Sequence, residues 1–197
     1  MRKLASVCVY CGSRVGNNPD YVAEAQVLGQ ALAAARVRLV FGGASIGIMG
    51  TVARQVLAGG GKVTGVIPHF LKELEVPLEG VSERVLTKTM HERKQVMFDR
   101  SDAFVILPGG IGTLEEAFEM LTWRQLQRHT KPIVIVNTNG YWNPLIELVR
   151  HCVEQGFAGE EILKHLTIVD SAADVLPAIK RVLGPAGAPM ATHLEEI

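Results

Sequence analysis

The chain has 197 residues, 48% of them hydrophobic and 20% charged, with 20 Lys+Arg against 20 Asp+Glu. A formal net charge of zero argues against a nucleic-acid partner, whose phosphates call for a basic excess, and the hydrophobic content excludes a disordered chain. The length suits a single domain with a full core, since single cores stop growing only beyond about 250 residues.

The chain starts with Met1, Arg2 and Lys3 and then runs apolar as far as Cys11. That run is short and alternates β-formers, so it reads as a first strand over 4–10 and not as a leader. Helix 20–36 follows Pro19, which suits a first turn. Strand 37–41, helix 46–58 and strand 62–67 come next, with Gly59-Gly60-Gly61-Lys62 as the turn that ends the helix. Strand 84–87 leads into helix 90–100, opened by the capping box Thr89-x-x-Glu92. Strand 103–107, helix 114–128, strand 133–137, helix 144–155 and strand 167–169 complete the alternation. Ser171-x-x-Asp174 then caps a last helix over 172–183. Short, nearly continuous apolar strands alternating with helices predict an α/β protein: a Rossmann-like open parallel sheet with helices on both faces. The expectation is one domain over 1–183 and a mobile tail over 184–197, rich in small residues and Pro. No apolar run approaches the ~18 residues of a membrane span, so no membrane partner is expected. The three cysteines, an odd number, suggest no disulfide framework, and with the N-terminal reading they point to the cytoplasm.

In such sheets ligands bind beyond the carboxyl ends of the strands. Four segments fall on that edge. They are Cys11-Gly12-Ser13-Arg14, the glycine-rich stretch 42–50, Met90-His91-Glu92-Arg93-Lys94, and Pro108-Gly109-Gly110-Ile111-Gly112-Thr113. The last of these runs from a strand into a helix, where glycines leave backbone N–H groups open to an anion. Thr113-x-x-Glu116 has two readings. It is a capping box, or Glu116 is a carboxylate facing the sugar or leaving group beyond a phosphate. Glu115 is its neighbour, and a helix turns successive side chains by about 100°, so only one of the pair points into the site. Arg93 and Lys94 are either a solvated pair or contacts to a bound anion. Neither G-x-G-x-x-G nor G-x-x-x-x-G-K-[ST] occurs. Cys8-Val9-Tyr10-Cys11 spans the end of a strand, the wrong place for a redox pair. His129, His151 and His165 show no metal-binding spacing, and Ser13 and Ser45 sit in no nucleophile elbow.

MHERK followed by PGGIGTLEE resembles the paired motifs of the Lonely Guy (LOG) proteins, the cytokinin riboside 5′-monophosphate phosphoribohydrolases. Some relatives carry a lysine decarboxylase-like label that misdescribes the chemistry. The resemblance spans nearly the whole chain, from Val9-Tyr10-Cys11-Gly12-Ser13 through Gly65-Val66-Ile67-Pro68 to Leu121-Thr122-Trp123. One departure is Ala44, where many relatives have a third glycine. The resemblance implies hydrolysis of the N-glycosidic bond of a purine nucleoside 5′-monophosphate, AMP or an N6-modified AMP, giving free base and ribose 5-phosphate. Arg93 and Glu116 match the catalytic pair. Lys94 and the backbone of Gly109, Gly110, Ile111, Gly112 and Thr113 match phosphate and ribose contacts. Glu75, Thr122, Ser13 and Gly43 match further substrate positions. No metal or other cofactor is implied, and a homodimer is. Such chemistry develops positive charge on the sugar, which a carboxylate can offset. A non-catalytic nucleotide carrier or sensor is the alternative on the same fold.

Overall fold

Strand β1 (Ser6–Tyr10) is buried along its whole length, as expected of a central parallel strand covered on both faces. Its side chains alternate: Val7 and Val9 enter one core, Cys8 and Tyr10 the other. The computed structural model describes residues 4–72 and 76–184. Within them α1 (Asp20–Ala34), β2 (Arg38–Phe41), α2 (Gly47–Ala58), β3 (Val63–Pro68) and the short α3 (His69–Lys72) follow β1. Then come β4 (Glu83–Thr87), α4 (Met90–Asp99), β5 (Ala103–Ile106), α5 (Ile111–Gln125), β6 (Ile133–Val136), α6 (Asn143–Glu154), β7 (Leu166–Val169) and α7 (Val175–Leu183).

All seven strands are parallel, in the order β4-β3-β2-β1-β5-β6-β7. The order grows outward from β1 in both directions, so the first and fifth strands are neighbours. Their junction is the switch point at which such sheets open a crevice. One face packs on α1, α2 and α7, through residues such as Leu28, Val52 and Ile179. The other packs on α4 and α5, through Met97, Met120 and Leu121, with Trp142 and Leu145 at the start of α6. Each fully buried aliphatic side chain in these layers contributes roughly 1.5–3 kcal/mol. The α/β expectation of a parallel sheet with helices on both faces holds.

Local differences have local causes. Helix α1 stops two residues short of the expected end, and Arg36 then turns the chain with φ 55°. The predicted last helix begins later, at Val175. Ser171 Oγ accepts a bond from the Ala173 amide, 3.3 Å, but it caps a single 3-10 turn over 172–174. Helix α5 starts three residues before the predicted 114, at Ile111, with Gly110 as its N-cap. The expected tail over 184–197 lies, beyond Gly184, outside the described residues, as does Glu75. Among the described residues no helix is long and apolar enough to cross a membrane.

Candidate active site

A cleft of about 610 Å³ opens at the carboxyl ends of β1 and β5. Two loops are fastened together beneath it. The Gly12 amide donates to the Pro108 carbonyl at 3.0 Å, and the Gly12 carbonyl accepts from the Met49 amide at 3.2 Å. One wall is Cys11, Gly12, Ser13 and Arg14, and the other is the run from Pro108 to Thr113. Gly16, Tyr21, Ile48, Met49, Met90 and Tyr141 line the rest, with Arg93, Glu115 and Glu116 supplying charge.

The early start of α5 settles the ambiguity at Thr113. A residue inside the first turn is not an N-cap, and Gly110 has no side chain to cap with. Thr113-x-x-Glu116 is therefore no capping box, and Thr113 is buried instead. Glu116 falls in the second turn, with its carboxylate committed to no helix end. The first N–H groups of a helix have no partner within it, and here they belong to a loop that lines the cleft. A Cβ at Gly110 or Gly112 would meet nothing within 4 Å, so this terminus stands open. Donors without a partner inside the helix and the positive end of a 15-residue helix dipole favour an anion there.

Arg93 is 7% exposed, so it is no solvated surface residue. It sits on α4, whose capping box forms as expected: the Thr89 hydroxyl accepts from the Glu92 amide at 3.1 Å, and Glu92 accepts from the Lys88 amide at 2.7 Å. The Arg93 guanidinium reaches across to the loop after β2, donating to the Gly42 carbonyl at 3.5 Å. Its Nη2 stands 3.9 Å from Glu116 Oε1. Its Nε is buried with no hydrogen-bond partner among the described residues, a donor available to a ligand in the cleft. Burial pushes the Glu116 carboxyl up to about 7, against the pull of the Arg93 cation, with Glu115 pushing further the same way. A carboxyl poised there exchanges a proton near neutrality, as acid–base chemistry requires.

Lys94 takes a different place from the one the sequence suggested. It is buried, does not line the cleft, and its ammonium bonds to Glu115 and, at 3.0 Å, to Glu119. Burial opposes its charge, yet the two carboxylates hold its pKa above the ordinary lysine value. Gly43 also stays outside the cleft. Its φ of +89° and its buried packing on Ile67 make it a backbone requirement, and its carbonyl accepts from the Leu78 amide at 2.9 Å. Gly42 is the position that matters to the site, because a Cβ there would overlap the Arg93 guanidinium. Ala44, the departure from the motif, is fully buried and bridges to Pro77, away from that approach. Thr122 is exposed on α5 and does not reach the cleft. Ser13 and Gly109 through Thr113 all line it.

Tyr141 is a cleft residue that motif reading missed. Its hydroxyl donates to the Gly109 carbonyl at 2.6 Å, and its ring meets Tyr21 edge to face at 5.3 Å. Asn139 and Gly140 before it take φ values of 52° and 71°. Asn137 then anchors the turn by accepting from the Trp142 amide at 2.7 Å. The Asn139-Gly140 pair just after a strand on the ligand edge was the available signal. Among the described residues no three His, Cys, Asp or Glu side chains gather as a metal site. Cys8 and Cys11 are free thiols on opposite faces of the sheet, and burial raises both pKa values.

Comparison with known proteins adds to this geometry. A family model described as "Possible lysine decarboxylase" matches residues 49–179. The cytokinin riboside 5′-monophosphate phosphoribohydrolase of Rhodococcoides fascians is 39% identical over 176 residues, covering 89% of this chain and 89% of that protein. An Arabidopsis thaliana protein of the same name is 40% identical over 178 residues, covering 90% of this chain and 84% of its own. Among solved structures, the molybdenum cofactor binding protein of Rippkaea orientalis superposes with a TM-score of 0.69 over 93% of this chain and 100% of its own. At 19% identity that likeness concerns the fold alone.

Proposed function

Because the chain belongs to the Lonely Guy family of cytokinin riboside 5′-monophosphate phosphoribohydrolases, we propose that it hydrolyses the N-glycosidic bond of a purine nucleoside 5′-monophosphate. The products are the free base and ribose 5-phosphate, and AMP and N6-substituted AMP are the substrate class. The observation that carries this reading is the Arg93–Glu116 pair, 3.9 Å apart at a cleft that also receives the open N-terminus of α5. The helix terminus takes the 5′-phosphate, and that remote contact fixes where the sugar carbon sits. Ionised Glu116 faces the positive charge that grows on the sugar as the C–N bond breaks, and it accepts a proton from the attacking water. Arg93, oriented by the Gly42 carbonyl, holds the substrate and favours departure of the base. That proton passes to the departing base, so the Glu116 carboxylate is restored and the water is consumed in full.

Lys94 acts in this reading by holding Glu115 aside. The protein works in the cytoplasm as a homodimer. Phe118, Thr122 and Leu126 support the dimer, because they recur at helical spacing on the outer side of α5 and are exposed. Thr122 would then meet substrate only through a neighbouring copy.

The test is release of base, followed by chromatography, from AMP, isopentenyl-AMP and the matching nucleosides. Wild type releases base from the monophosphates, and Glu116→Gln folds but releases none. Full activity in that variant would remove Glu116 from the mechanism. Tight AMP binding by wild type with no base release would instead establish a carrier or sensor.

A further inference from the structure

Among the described residues, four side chains bearing formal charge line the cleft: Arg14, Arg93, Glu115 and Glu116. Three have counter-ions within the protein. Glu115 is taken by Lys94, and Arg93 and Glu116 face each other. Arg14 has no carboxylate partner among the described residues, although it is an exposed arginine at the rim of a cleft. The strand register says where it stands. Tyr10 on β1 pairs with Ile106 on β5. Arg14 and Gly110 each lie four residues beyond that pair, on loops fastened by the Gly12–Pro108 hydrogen bond. The Arg14 cation and the open helix terminus therefore emerge side by side from neighbouring strands.

We propose that Arg14 is a binding residue for the 5′-phosphate, closing over the anion from the side opposite the α5 amides. This rests on the phosphoribohydrolase reading for the identity of the ligand, though not for its charge. The helix terminus offers partial charge and directional N–H groups. Arg14 adds a full charge and a planar fork that suits two phosphate oxygens. It also fills the place left by Lys94, whose ammonium is already engaged. The consequence is selectivity: a nucleoside without its phosphate leaves Arg14 and the helix terminus unmatched.

The test measures binding of ribose 5-phosphate and of adenine by calorimetry, with AMP hydrolysis in parallel, for wild type, Arg14→Ala, Arg14→Gln and Arg14→Lys. In Arg14→Ala and Arg14→Gln the Kd for ribose 5-phosphate and the KM for AMP rise on the order of tenfold, and the dependence of binding on salt weakens. Arg14→Lys falls between them and wild type. Adenine binding is unchanged in all three, which separates a lost phosphate contact from a damaged cleft. Wild-type affinity for ribose 5-phosphate in both Arg14→Ala and Arg14→Gln would overturn the assignment. Should wild type bind ribose 5-phosphate through Arg14 yet hydrolyse no monophosphate, the enzyme reading fails while this one stands.

Discussion

Two adjacent carboxylates on α5 show how neighbouring residues acquire different chemistry. Glu115 is half exposed and bonded to Lys94; Glu116 is 12% exposed and faces the Arg93 cation at 3.9 Å. Desolvation then lifts Glu116 to about 7. The sign of its pH dependence follows. Between the ordinary carboxyl range and 7 the folded protein holds a proton that the unfolded chain has lost, so this group's contribution to stability declines as pH rises through that window. In the role proposed for Glu116, activity runs the other way, with the ionised form the reactive one. The kcat/KM for AMP therefore rises with pH along an acid limb centred near 7, where an ordinary glutamate would place it near 4.5. A rate profile flat from pH 5 to 8 would contradict this role for Glu116. Arg93 and Glu116 were legible as a pair from their motifs. Tyr141 was not, because the Asn139-Gly140 turn marks a loop on the ligand edge without saying which of its side chains reaches Gly109.

Among the elements, helix α4 matters most to the site, because it carries Arg93 across to the loop after β2. Ten residues make a marginal helix, stabilised chiefly by packing and by its ends. Its capping box is thus more than a local convenience. Thr89→Ala removes the acceptor for the Glu92 amide and lowers unfolding free energy by about 1 kcal/mol, read as a lower urea midpoint with an unchanged slope. An unchanged midpoint would show that packing alone holds the helix start. Capping logic was right here and misleading at α5, for one reason. Thr89 follows an extended segment and stands outside its helix, whereas Thr113 is preceded by glycines that can enter the helical turn themselves. The same four-residue pattern marks a helix start only when the residues before it stay out of the helix. Element types and order were legible from apolar runs and turn residues, while the short α3 was not, since four residues show no periodicity.

Across the whole molecule, the parallel sheet gathers segments far apart in sequence onto one edge. That edge was readable from the alternation of strands and helices, because every parallel strand delivers its following loop to the same side. What the alternation did not reveal was strand order, and hence that β1 and β5 would be neighbours. At this scale the proposed dimer would use the outer face of α5. Phe118 is 37% and Leu126 64% exposed, on the same side as Thr122. Light scattering is expected to give the mass of two chains for wild type and of one for Phe118→Glu, in which a charge replaces the apolar contact. A monomeric wild type would remove the dimer from the reading.

The early start of α5 has one more consequence. The glycine run ahead of it acts as a ruler. Its length sets the rotational phase of the helix, and phase alone decides which glutamate meets Arg93 and which is neutralised by Lys94. One added residue inside the first turn would rotate the following side chains by about 100° and shift that assignment along the chain. A loop that looks permissive, small and exposed is thereby fixed in length, even at positions where a larger side chain would touch nothing.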